Sequence, residues 1–224
     1  MKRSYIPFIN IALLLLLTGC LEAPIKKSQR YPQLYKEKPL SIMILPPINK
    51  SVNIGAKEQF YSSLIRPLTL NGYYVLPPLL TLEVLKEESA YDAEMFLDNS
   101  MKQVGVLFGA DAVLFTIVHN WEKVVLFNNI TVKVEYMLKS THTDSLLFHR
   151  IGTITYSSSM NSGNVFADLV VQMLFTSLQS EINVGRSCNG FSFQDIPNGI
   201  YSPNYCVDST LQSGPKVFAV RVTN

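Results

Sequence analysis

The side chains able to do chemistry are few and scattered along the sequence. His119, His142 and His149 lack an H-x-x-E-H type of spacing and have no cysteine beside them, so they do not point to a metal centre. Residues 185–190, GRSCNG, approach the G-x-S-x-G pattern around Ser187. The stretch has one residue too many, and it reads as loop rather than as the strand-to-helix turn a nucleophile needs. Asp111 and Asp144 could be imagined as acid and base. Asp111 reads as the start of a strand and Asp144 as a turn residue, and no spacing pairs them. The sequence holds no glycine-rich phosphate loop and calls for no cofactor.

The N-terminus is more informative. Lys2 and Arg3 precede a mostly apolar run of about a dozen residues, and the small residues Thr18 and Gly19 precede Cys20. This is the layout of a secretory signal peptide. The run falls short of the roughly 20 residues a membrane span needs. Leu17-Thr18-Gly19-Cys20 resembles the bacterial lipobox, which implies cleavage between Gly19 and Cys20 and diacylation of the Cys20 thiol. Two or three acyl chains, at about 0.8 kcal/mol per buried CH₂, make a stable anchor where one is marginal. Leu21 rather than Asp follows the cysteine, and the lipoprotein sorting rule then implies the outer membrane. In that oxidising setting Cys188 and Cys206 read by default as a disulfide, with two separate buried thiols as the alternative. Closing such a loop is worth about 3 kcal/mol in the chain-entropy model.

Composition fits a folded body behind this leader: 47% of the 224 residues are hydrophobic and 16% charged. The net charge of +2 is carried by Lys2 and Arg3, so the body is near neutral and offers no electrostatic footprint for nucleic acid. The expected organisation is a signal peptide over 1–19, a lipidated N-terminus and flexible tether over 20–38, an α/β domain over 39–184, and a loop-rich tail over 185–224. Two prolines and seven charges make 21–38 read as tether, with a reach of about 50 Å at ~3.1 Å per residue.

Within the domain, SIMILPP at 41–47 echoes GYYVLPP at 72–78. Each is a short buried-strand pattern ended by Pro-Pro. Between them Phe60, Leu64 and Leu68 recur at helical spacing over 55–71, with Pro67 set to kink or fray the last turn. Strand, helix, strand predicts a parallel βαβ unit. Short helices come next over 81–88, capped by Thr81, and over 100–108, stopped by Gly109. Residues 108–121 pass from that helix end into a nearly continuous apolar strand, which reads as central. Asn128-Asn129 marks a turn, 130–139 alternate as an antiparallel strand with one wet face, and 145–158 form a third meander strand. Residues 164–182 carry a broad apolar helical stripe, and 216–222 supply a last strand. The fold class is therefore α/β: a mixed sheet with an N-terminal parallel βαβ unit, then an antiparallel meander, with helices packed on the sheet.

Both Pro-Pro exits would lie at one edge of that sheet, where open α/β sheets place binding sites. Pro46, Pro47, Pro77 and Pro78, with Tyr201, Pro203 and Tyr205 of the tail, form the candidate docking surface. The plainer alternative is that the prolines only stop strands. Likewise the tyrosines near both ends, Tyr31 and Tyr35 included, either serve an interface or pack on the domain's own surface.

Four blocks, YPQLYKEKPLSIMILPPINKS, PLTLNGYYVLPP, LFGADAVLFTIVHNW and DIPNGIYSPNY, together resemble a family of bacterial outer-membrane lipoproteins of unassigned function. The resemblance covers about residues 31–205. It implies a domain similar to the N-terminal domain of the Tol-system periplasmic protein, association with a curli-secretion-channel-like lipoprotein, and a homodimer. It carries no catalytic residues. The reading is a non-enzymatic, lipid-anchored, periplasm-facing module that docks on envelope proteins in export or cell-wall regulation. An envelope hydrolase and a purely structural surface lipoprotein are the alternatives.

Overall fold

The computed structural model describes residues 25–88, 90–124, 129–157 and 181–223. Residues 1–24, Cys20 among them, and residues 158–180, which hold most of the segment expected as a striped helix, lie outside the described residues.

The chain enters through two short helices, α1 (Lys27–Arg30) and α2 (Pro32–Glu37). A flexible tether reaching residue 38 is therefore incorrect. Tyr31 and Leu34 are each 3% exposed and belong to the main core. Tyr31 Oη donates to Asp195 at 2.6 Å, Tyr35 Oη donates to Asp208 at 3.0 Å, and Lys27 Nζ pairs with Asp208 at 3.5 Å. Charge and proline content mimicked a linker. Pro32, however, sits in the first turn of α2, where no backbone N–H is missed. The tyrosines supply apolar bodies whose polar tips find buried partners.

The body then runs β1 (Ser41–Ile44), β2 (Ile48–Asn49), α3 (Ala56–Ser63), α4 (Ile65–Leu70), β3 (Tyr74–Val75), α5 (Pro78–Glu87), α6 (Lys102–Phe108), β4 (Ala112–Val124), β5 (Asn129–Ser140), β6 (Leu146–Ser157), α7 (Glu181–Phe193) and β7 (Val217–Thr223). The sheet order is β3-β1-β4-β5-β6-β7, with β2 also on β4. β3, β1 and β4 are parallel, β4–β5–β6 is an antiparallel meander, and β7 returns parallel to β6. The predicted mixed α/β sheet, with its βαβ start, is what the chain forms.

Alternation along the strands builds two cores. Ile42 and Ile44 of β1, with Ala112, Leu114 and Val118 of β4, face α3, α4 and α7. Met43 and Leu45, with Val113, Phe115 and Ile117, face α5 and α6. β4 is thus apolar on both faces because it is covered on both. Each fully buried side chain such as Phe60 contributes roughly 1.5–3 kcal/mol.

Local deviations have identifiable causes. The helix over 55–71 breaks at Leu64 between α3 and α4. Pro67 cannot donate to the Ser63 carbonyl and its ring crowds that oxygen, so the break falls a turn before the proline. Helix α5 starts at Pro78, with Thr81 inside it donating to the Pro78 carbonyl, so Thr81 is not its cap. Gly109 ends α6 in the left-handed region at φ 65°, as expected.

The loop-rich tail begins later than expected, because α7 runs through GRSCNG to Phe193. Its polar residues read as loop, yet they are satisfied inside the protein. Asn189 is fully buried, accepts from Tyr136 Oη at 2.5 Å, and donates to Ser63 Oγ at 2.8 Å and the Phe60 carbonyl at 3.2 Å. Gly185 lets α7 approach α3 closely: a Cβ there would lie 3.0 Å from the Gln59 carbonyl oxygen. Arg150 of β6 donates to the Phe191 and Ser192 carbonyls at the helix end.

Candidate docking groove and polar clusters

The structure disperses the predicted docking surface. Pro46 and Pro47 are buried where the chain passes from β1 to β2, and both strands lie on β4. The first Pro-Pro therefore interrupts one line of pairing along β4 rather than leaving the sheet. Pro78 is buried as the first residue of α5, and of the four prolines only Pro77 is exposed. Tyr201 and Pro203 are exposed and Tyr205 is half-buried, but this loop sits at the other end of β3. Gly199 N–H donates to the Asn71 carbonyl and Tyr201 N–H to the Gly72 carbonyl. Gly72 takes φ 81°, and a Cβ on it would lie 2.3 Å from the Ser202 nitrogen, so glycine is required there. The enclosed cavity beside this loop, lined by Tyr35, Tyr73, Tyr205 and Cys206, holds about 10 Å³. That is room for one water and no larger ligand.

Cys188 and Cys206 are both free thiols, which corrects the predicted disulfide. Cys188 points into the main core from α7, where burial pushes its pKa up. Cys206 lies in the left-handed region at φ 59°, in the loop against Tyr205 and Tyr35. Helix α7, misread as loop, is what turns the first thiol inward.

The candidate chemical residues have structural partners. Ser187 lies within α7, not on a strand-to-helix turn. Asp144 accepts from Ser100 Oγ at 2.7 Å and Met101 N–H at 2.6 Å, ahead of α6. Burial works to raise the Asp111 pKa. Hydrogen bonds from Ser41, His142 and the Leu40 N–H outweigh it and hold the carboxyl below its usual value. This carboxylate ties the start of β1 to the start of β4. The two aspartates do not form a pair.

One constellation was missed. Glu135 of β5 accepts from His119 of β4 at 2.7 Å and from His149 of β6 at 2.6 Å, one imidazole on each carboxylate oxygen. Burial would raise the Glu135 pKa, but the hydrogen bonds and charges of both histidines hold it below the usual value. The sequence shows Glu135 on the wet face of an alternating strand, but only the sheet register brings the histidines to it. His119 sits at a register shift between Val118 and Asn120, where a bulge re-aims the side chain. Among the described residues, no group of His, Cys, Asp and Glu is arranged to hold a metal ion.

A surface suited to a partner lies at the N-terminal ends of β1 and β4, opposite to where the Pro-Pro exits pointed. Three hollows of about 300, 320 and 290 Å³ run together there. The first two share Lys102 and Val106 of α6, and the second and third share His142. The third ends on Glu37, Lys38, Leu40 and Asp111. Val106 is 88% exposed, Leu107 58% and Leu40 43%. An open apolar strip flanked by charges marks an interaction surface rather than a closed substrate pocket.

Residues 29–189 match the model of the family described as "Putative lipoprotein GNA1162-like". The chain belongs to this family. A relative, "Putative lipoprotein NMB1124/NMB1162" of Neisseria meningitidis serogroup B, is 25% identical over 142 residues, 62% of this chain and 66% of that protein. The crystal structure of lipoprotein GNA1162 from Neisseria meningitidis is similar with a TM-score of 0.50 at 26% identity. It covers 63% of this chain and all of that one. The PelC dodecamer from Paraburkholderia phytofirmans is similar with a TM-score of 0.41 at 13% identity, covering 69% of this chain and 86% of that one. Among the described residues no helix is long and apolar enough to cross a membrane.

Proposed function

We propose that the chain is a lipid-anchored outer-membrane lipoprotein that faces the periplasm and acts by docking, without catalysis, on another envelope protein. Cys20 carries the lipid. The groove along α6 receives a partner segment whose apolar side chains cover Val106, Leu107 and Leu40 and whose acidic groups meet Lys38 and Lys102. The observation that carries this reading is the strip itself: side chains as exposed as Val106 and Leu107, lining joined hollows rather than standing singly. Export and cell-wall regulation are the processes proposed for it. A curli-secretion-channel-like lipoprotein is the first partner to look for, and a second copy of the chain is the next.

The test is recovery of a tagged full-length protein from crosslinked cells beside a V106E/L107E variant. The reading predicts one envelope protein recovered with the wild type and lost with the variant at unchanged abundance. The same proteins recovered with both would overturn it.

A further inference from the structure

We propose that the face formed by Lys26, Val207 and Leu211 lies directly on the bilayer surface; this rests on the reading that Cys20 is lipidated. The leash between lipid and body is short. Ile25 accepts a 2.8 Å hydrogen bond from Ser213 N–H, Lys26 bridges to Gln212, and Lys27 N–H donates to the Leu211 carbonyl at 2.9 Å. From Ile25 onward the chain is fastened to the body. Five peptide steps then separate Cys20 from the first fastened residue, and fully extended they span at most about 18 Å. A folded body of about 200 residues is roughly 40 Å across. The leash is shorter than the body is wide, so only the face that carries Ile25 can meet the membrane.

That face has interfacial chemistry. Val207, 69% exposed, opens the short turn over Val207–Thr210, and Leu211, 57% exposed, follows it. Lys26 and Lys216 are exposed close by in the chain segments joined there. Asp208, the acidic residue of the turn, is 2% exposed and turned inward onto Lys27, Tyr35 and Asn198. Apolar side chains with lysines beside them, and their carboxylate withdrawn, suit an anionic headgroup layer.

The test uses the full lipidated chain in phosphatidylethanolamine–phosphatidylglycerol vesicles with lipids brominated near the headgroup. The native Trp121 is 3% exposed and gives a constant background. Reporter tryptophans are placed one at a time as L211W, V207W and, on α5, L80W. The proposal predicts that L211W and V207W lose most of their added emission to bromine while L80W keeps it. If all three respond alike while the protein still floats with the vesicles, the face assignment is wrong and the anchor stands. If Cys20 is bare by mass and the protein does not float, the anchor reading fails and this inference fails with it. The two sites on the face report independently should one substitution misfold.

Discussion

Tyr31 Oη donates a 2.6 Å hydrogen bond to Asp195, joining the start of the folded chain to the segment just beyond α7. Asp195 also accepts from Ser213 Oγ and Gly214 N–H, both at 2.8 Å. The Tyr31 ring lies tilted against Phe148 at 5.1 Å, Phe148 stacks on Phe193 at 5.8 Å, and Phe193 lies 4.8 Å from Tyr136. A line of rings thus carries the entry segment into the core. Burial is the first cause raising the Tyr31 pKa, and the bond to Asp195 adds to it, so the phenol stays a donor. Replacing Tyr31 with Phe removes one charge-assisted bond and should cost about 1.5–3 kcal/mol. At about 2–4 °C per kcal/mol for a body of this size, Tm should fall by roughly 3–12 °C. An unchanged Tm would mean that residues 25–38 are a tether after all.

The cysteines give a second expectation. With Cys20 blocked by lipid as proposed, the native protein should react with one equivalent of a thiol reagent, at Cys206, and with a second equivalent, at Cys188, only on unfolding. Cys188 is fully buried, and burial raises its pKa, so thiolate is scarce as well as hidden. Thiol counting before and after denaturation measures this. No reaction in either state would restore the disulfide.

Much of the fold could be read from the sequence, and the errors share a cause. The strands are legible because side chains alternate: Ile130, Val132, Val134, Tyr136 and Leu138 turn inward as their spacing says. α6 is legible because Gly109 stops it. What failed were segments whose polar residues are satisfied within the body. Asn189 looked like a loop residue because its partners, Tyr136 and Ser63, are remote in sequence. Lys27 looked like part of a solvated tether because its partner, Asp208, is far along the chain. The docking surface failed for a related reason. A Pro-Pro pair ends a strand locally, but its burial depends on the next element of the chain, β2 in one case and α5 in the other. Likewise the His119–Glu135–His149 cluster exists only once β4, β5 and β6 are in register.

The core of β4 contains an unpaired hydroxyl. Thr116 is 1% exposed and its Oγ1 has no hydrogen-bond partner among the described residues. Thr116→Val keeps the shape and removes a buried polar atom, so it should stabilise the protein by about 1 kcal/mol. Chemical denaturation checks the sign, and clear destabilisation would show that the hydroxyl is satisfied.

Glu135 predicts a pH dependence. Its folded pKa lies below the ordinary 4.5, so the stability it contributes is complete above 4.5 and is lost as pH falls through the folded value. Glu135→Gln should therefore be less stable than wild type at neutral pH, and the gap should close below about pH 4.5. Denaturation at a series of pH values measures the gap, and one that stays constant down to acid pH would remove Glu135 as its source.

The most direct measurement is photo-crosslinking in intact cells from a photoreactive residue at position 106, beside the same residue at position 52. Val52 is 90% exposed, away from the groove, and so controls for exposure alone. The account predicts one discrete adduct with an envelope protein from position 106 and none from position 52. Equal labelling from both positions, or none from 106 with the lipoprotein at normal abundance, would contradict a docking role for the groove.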